Sequence, residues 1–126
     1  MPAKNVFISY ARSDQALVEK LLAKLRPLPV RVFSDFDEIG LGEDWQETLR
    51  SRLTEAEFFL VVVTPKMFES PWLLQELGAA WALKKRIVTI VSDPRLLEKL
   101  PFDLRQSAAV NVNELEKLEE VLKGAA

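Results

Sequence analysis

The run Phe58-Phe59-Leu60-Val61-Val62-Val63 constrains this chain more than any other segment. Six consecutive apolar residues show neither the three-to-four spacing of an amphipathic helix nor the alternation of a strand with one wet face. Framed by Glu57 and Thr64 and closed by Pro65, the run reads as a strand buried on both faces, the pattern of a central strand in a parallel sheet. Such a strand needs helices above and below it. With 126 residues, 48% of them hydrophobic, the chain has the material for one domain with a single substantial core.

The remaining segments supply the alternation that a parallel sheet requires. Val6 to Tyr10 is a strand, and Leu17, Val18, Leu21, Leu22 and Leu25 follow at helical spacing, with Ser13 at the expected N-cap. Pro27 and Pro29 end that helix, Val30 to Ser34 is the second strand, and the acidic loop Asp35 to Gly42 holds two of the four glycines. Asp44 and Glu47 form a capping pair before a helix whose Trp45, Leu49 and Leu53 share a face. After the central strand, Ser70-Pro71 places an N-cap and a first-turn proline ahead of a helix running to about Lys84, in which Trp81 is expected to be core. Ile87 to Val91 is the fourth strand, Pro94 to Leu100 a short helix or turn, and Ala108 to Val112 the fifth strand. Asn113 with Glu116 then caps a final helix. Right-handed crossovers between parallel strands make this an α/β chain, a flavodoxin-like five-stranded parallel sheet of order 2-1-3-4-5 with helices on both faces, one domain over residues 1–126.

Composition removes several chemistries. Cysteine and histidine are absent, so there is no disulfide framework, no Cys/His zinc site, no Ser-His-Asp triad and no Cys-His dyad. With 17 basic against 19 acidic residues, neither nucleic acid nor a membrane surface is an expected partner. The start lacks the apolar segment of a signal peptide and no run is long enough to span a bilayer, so a cytoplasmic protein is expected. Chemistry must run on carboxylates, hydroxyls, Lys/Arg or backbone groups.

In a sheet of this order the binding crevice lies beyond the carboxyl ends of the strands, beside the point where strand order reverses. The stretches Ser9–Asp14, Ser34–Gly42, Thr64–Glu76 and Ser92–Arg95 fall there. A phospho-acceptor receiver needs an aspartate after the third strand, where this chain has Thr64. A dinucleotide or flavin protein needs a glycine-rich first turn, and Ser9-Tyr10-Ala11-Arg12-Ser13-Asp14 has no glycine.

Three motifs in order, each at an element boundary, do carry a resemblance: Phe7-Ile8-Ser9-Tyr10, the loop Asp35–Gly42 followed by Trp45, and Ser70-Pro71-Trp72-Leu73-Leu74-Gln75-Glu76. Over essentially its whole length the chain resembles a bacterial Toll/interleukin-1 receptor (TIR) domain. The resemblance implies one of two functions. Many members cleave the nicotinamide–ribose bond of NAD+, some cyclising the product, while others are noncatalytic adaptors working through TIR–TIR assembly. For the enzymes it implies Glu76 as the catalytic carboxylate, NAD+ as substrate with no cofactor and no metal, and a role in bacterial defence or virulence. It further implies Ala11, Arg12, Gly40 and Trp72 as substrate-binding positions. The BB loop, Phe36, Asp37, Glu38, Ile39, Gly40, Leu41 and Gly42, is implied as the surface that meets other TIR domains in a homo-oligomer or filament. A nucleoside deoxyribosyltransferase-like enzyme shares the sheet and a catalytic glutamate and is a third reading.

Elementary chemistry supports the first. Trp72 and Glu76 are four residues apart and share one face near the start of their helix. A carboxylate beside an indole suits a ribose bearing a planar leaving group, and a pyridinium departs as a neutral molecule, so one carboxylate suffices without a general acid. Each residue also has a plainer reading: Glu76 a solvated helix glutamate, Trp72 a packing residue, Arg12 a surface arginine, Asp35, Asp37 and Glu38 a solvated loop, Trp45 an anchor of its helix. Enzymatic relatives often carry an aromatic side chain some twenty positions beyond the glutamate, where this chain has Arg95 and Leu96.

Overall fold

Parallel strands cannot be joined by tight turns, and the alternation of short apolar runs with longer periodic segments is resolved here as crossovers between parallel strands. The computed structural model describes residues 4–34, 45–100 and 108–124. Among them are five strands, β1 (Lys4–Ser9), β2 (Val30–Ser34), β3 (Phe58–Val63), β4 (Arg86–Val91) and β5 (Ala108–Asn111). All neighbours are parallel and the order is β2-β1-β3-β4-β5, the expected flavodoxin-like sheet. The described α-helices are α1 (Gln15–Leu25), α2 (Trp45–Glu55), α3 (Pro71–Ala82) and α4 (Leu118–Gly124).

Every side chain of β3 is fully buried, as its six-residue apolar run requires. Strand parity then splits the core in two. Val6 and Ile8, with Phe58, Leu60 and Val62, face α1 and α4. Phe7, with Phe59, Val61 and Val63, faces α2 and α3, where the Phe7 and Phe59 rings stack at 5.6 Å. At about 25 cal/mol per Å² of apolar surface removed from water, these two layers dominate the stability of the domain.

Three local expectations are corrected. Ser13 does not cap α1: Arg12–Asp14 form a 3-10 turn, and the cap position falls to Asp14. Asp14 makes no side-chain cap bond there, its carboxylate accepting instead from Thr64 Oγ1 at 2.5 Å. Asn113 does not cap the last helix either. Its N–H donates to Asn111 Oδ1 at 2.9 Å, a turn stabilised by the preceding asparagine, and Glu114 opens a 3-10 turn over Leu115–Lys117. The segment Pro94–Lys99, expected as a short helix or turn, is a 3-10 turn opened by Asp93 accepting from the Arg95 N–H.

Trp81 is not core but 53% exposed. Leu73, Glu76, Leu77 and Ala80 occupy the inward face of α3, and nine residues are two and a half helical turns, so Trp81 lies on the opposite side from Trp72. The expected Asp44–Glu47 capping pair and the side chain of Trp45 lie outside the described residues.

The end of α3 is tightly specified. Lys84 adopts φ 58°, its N–H donates to the Trp81 carbonyl at 3.1 Å, and the Lys85 N–H donates to the Ala80 carbonyl at 3.0 Å. These are the two bonds of a Schellman motif, with lysine where glycine is usual. Lys85 Nζ donates to the Thr54 carbonyl at 2.5 Å, satisfying the last turn of α2.

Candidate active site

The loops that leave β1 and β3 diverge where the strand order reverses, and polar side chains gather there in an otherwise apolar layer. Ser70 opens α3 by accepting from the Leu73 N–H at 3.4 Å, and Pro71 occupies the first turn. The helix therefore starts close to the carboxyl edge of the sheet. Its inward row of Leu73, Leu77 and Ala80 includes Glu76, which is only 3% exposed. The plainer reading of a solvated helix glutamate is thereby excluded.

Ser9, the last residue of β1, donates from Oγ to Glu76 Oε1 at 3.0 Å, and both groups are buried. The other carboxylate oxygen, Oε2, is equally shut off from solvent. Burying an ionised carboxylate costs several kcal/mol by order of magnitude, and a hydrogen bond to a charged group returns about 1.5–3 kcal/mol. A buried carboxylate at the carboxyl edge of the sheet, beside the point where strand order reverses, is a candidate for function.

The second polar contact spans the switch point itself. Thr64, directly after β3, donates to Asp14 Oδ2 in the turn after β1. This bond ties together the two loops that form the crevice, next to the backbone that carries Ala11 and Arg12.

Ala11 is buried and belongs to the same apolar cluster as Leu73 and Leu77, while Trp72 is half-buried and packs against that cluster. These two and Glu76 therefore share the α3 side of the sheet. Arg12 is exposed on its 3-10 turn. Gly40 and the whole BB loop, Phe36, Asp37, Glu38, Ile39, Gly40, Leu41 and Gly42, lie outside the described residues, as does Asp35. Beyond β4, Leu96 is buried in the cluster and Arg95 points to solvent. The guanidinium of Arg95 clasps both oxygens of Asp93, at 2.8 Å from Nη2 to Oδ2 and 3.2 Å from Nε to Oδ1. That hydrogen bond holds the Asp93 carboxyl below its ordinary range and raises Arg95 above its own. Among the described residues no three Asp or Glu side chains gather closely enough to hold a metal ion.

Ser9, although inside the Phe7–Tyr10 motif, was given no role by the sequence, and neither were Asp14 and Thr64. For Ser9 the signal was available: two residues after Phe7, it must face the same side of the sheet, and a hydroxyl at the end of a buried apolar strand needs a partner. The Thr64–Asp14 bond joins residues fifty positions apart and had no local signal.

A sequence profile of the TIR domain matches residues 6–122. The chain is similar to a protein of Brucella melitensis biotype 1 named probable 2′ cyclic ADP-D-ribose synthase TcpB. The two are 29% identical over 126 residues, covering 94% of this chain and 50% of that protein. It is also similar to a protein of Theionarchaea archaeon named NAD(+) hydrolase TcpA, 30% identical over 74 residues, covering 58% of this chain and 22% of that one. The chain spans about half the length, or less, of the curated relatives it matches. The TIR domain of the Toll-related receptor TRR-2 from Hydra magnipapillata shares the fold, with a TM-score of 0.72 at 18% identity, covering 95% of this chain and 93% of that one. Among the described residues no helix is long and apolar enough to cross a membrane.

Proposed function

Because the chain belongs to the TIR-domain family, we propose that it cleaves the bond between nicotinamide and ribose in NAD+, with Glu76 as the catalytic carboxylate. The observation that carries this reading is the burial of Glu76 at the carboxyl edge of the sheet, bonded to Ser9. The names of the two relatives, a cyclic ADP-ribose synthase and an NAD+ hydrolase, support the choice of substrate.

The nicotinamide ring of NAD+ is a pyridinium. When its nitrogen parts from C1′ of the ribose, the bonding pair returns to the ring and nicotinamide leaves neutral, so no group has to protonate it. Positive charge develops on the sugar as an oxocarbenium ion, and a fixed anion in a low-dielectric setting stabilises it more than water does. Water then attacks C1′, releasing a proton and giving ADP-ribose. Attack by a hydroxyl of the same molecule releases the same proton and gives a cyclic isomer.

Trp72 supplies an apolar wall for the planar leaving group, Ala11 leaves room for the substrate at the end of β1, and Arg12 is available to the pyrophosphate at the mouth of the crevice. Gly40 and the rest of the BB loop complete the site and meet neighbouring TIR domains in an active assembly. NAD+ is the substrate in this reading and not a resident cofactor.

The test is nicotinamide release from NAD+ by purified protein over a wide range of protein concentration, with Glu76→Gln alongside. The substitution should lower turnover by about two to three orders of magnitude, the range seen when a preorganised charge-stabilising group is lost. A rate that climbs more steeply than protein concentration is the result expected of assembly. No release at any concentration, or a fully active Glu76→Gln protein, refutes the proposal.

A further inference from the structure

We propose that Ser9 is the residue that positions Glu76 for catalysis, a role that rests on the reading of Glu76 given above. Ser9 is fully buried and ends β1, where it pairs in register with Val61 of β3. The residue before it, Ile8, is bracketed by Leu60 on one side and Ser34 on the other, so the backbone bearing the hydroxyl is held in the interior of the sheet. Phe7, Phe59, Val61 and Val63 line the same face, and the Ser9 hydroxyl reaches out of this apolar floor to Glu76 Oε1 at 3.0 Å.

A glutamate side chain has three rotatable bonds and loses them only at a cost in entropy. Projecting inward from α3, Glu76 has apolar helix neighbours in Leu73, Leu77 and Ala80. A bond to Oε1 from a buried strand paired on both sides selects one rotamer and fixes the direction of Oε2. Rigid donors on strands hold a reacting group to the tolerance catalysis requires, whereas a misplacement of about 1 Å costs roughly a hundredfold in rate. Ser9 is therefore a positioning residue: it acts on the reaction through Glu76.

The experiment measures steady-state NAD+ cleavage by the full chain, Ser9→Ala, Ser9→Thr, Glu76→Gln and the double variant Ser9→Ala/Glu76→Gln, with thermal unfolding of each as a control. The expected result is a kcat for Ser9→Ala about 10- to 100-fold below the parent with KM for NAD+ changed by less than about twofold. Ser9→Thr, which restores a hydroxyl, should recover most of the lost kcat. In the Glu76→Gln background, Ser9→Ala should have no further effect on residual turnover. Should Ser9→Ala fail to fold, the nearly isosteric Ser9→Cys, a weaker donor, takes its place and should fall between parent and Glu76→Gln. An inactive Glu76→Gln protein together with a fully active Ser9→Ala protein overturns the role of Ser9 alone. Equal losses from Ser9→Ala in both backgrounds overturn it too. Absence of NAD+ cleavage by the parent overturns the reading of Glu76 and the role of Ser9 with it.

Discussion

Replacing Lys84 by glycine should stabilise the domain. Lys84 sits at φ 58°, in the left-handed region where a Cβ crowds the following carbonyl at a cost of about 1–2 kcal/mol. Glycine removes that crowding but adds freedom to the unfolded chain, about 0.5–1 kcal/mol, and gives up a small favourable interaction of the lysine charge with the helix C-terminus. With the charge interaction near its low end of about 0.3 kcal/mol, the net gain is about 0.2–0.7 kcal/mol. An unfolding entropy of about 2.1 cal/mol/K per residue gives roughly 0.26 kcal/mol/K for 126 residues, so the melting temperature should rise by about 1–3 °C.

Circular dichroism at 222 nm during heating, paired with urea unfolding, measures the change. Lys84→Ala is the control, since it removes the charge and keeps the Cβ; it should shift the midpoint by less than half as much and in no fixed direction. Both Schellman bonds are backbone to backbone and survive either change. Turnover of NAD+ should be unaffected, because Lys84 lies eight residues beyond Glu76, about 12 Å along the helix. A glycine variant no more stable than the parent, or an alanine variant that gains as much, would show that the left-handed residue is not a source of strain.

Two further measurements address the crevice and its rim. A double-mutant cycle of unfolding free energies with Asp14→Ala and Thr64→Val should give a coupling of about 1.5 kcal/mol, the low end for a bond to a charged group because Asp14 is only partly buried; additive losses would dissolve the tie across the switch point. Asp93 keeps its charge to lower pH when folded than when unfolded, because Arg95 donates to it, so its contribution to stability is present above the ordinary carboxylate range and disappears as pH falls through the folded value. A carboxylate-resolved NMR titration should find Asp93 titrating below ordinary aspartates and moving upward in Arg95→Ala; a midpoint indifferent to that substitution would contradict the clasp.

What could be read from the residues follows the range over which the forces act. The central strand was legible with its boundaries, because six apolar residues ended by proline admit few other structures, and with it the sheet order. The start of α3 was legible because Ser70 and Pro71 act within one turn. The cap of α1 was misplaced because the Asp14 carboxylate is claimed by Thr64, a partner fifty residues away that no local rule contains. Trp81 was misplaced for a simpler reason: counting nine residues in turns puts it on the far side of α3 from Trp72. At the site, Glu76 was found through its motif, while its burial follows from its place in the row with Leu73, Leu77 and Ala80. Ser9 was legible by parity with Phe7, but the identity of its partner depends on how α3 docks on the sheet.

The burial of β3 between β1 and β4 also dictates an order of events during synthesis. Phe58–Val63 emerges from the ribosome before Arg86–Val91 does, so for that interval one edge of an uninterrupted apolar strand has no neighbour to pair with. Pairing with β1 is already possible and itself requires closing a long loop, since Val6 meets Phe58. The nascent chain therefore passes through a stage in which its strongest structural determinant is also its most aggregation-prone segment. A chain truncated before β4 should precipitate, not hold half a fold.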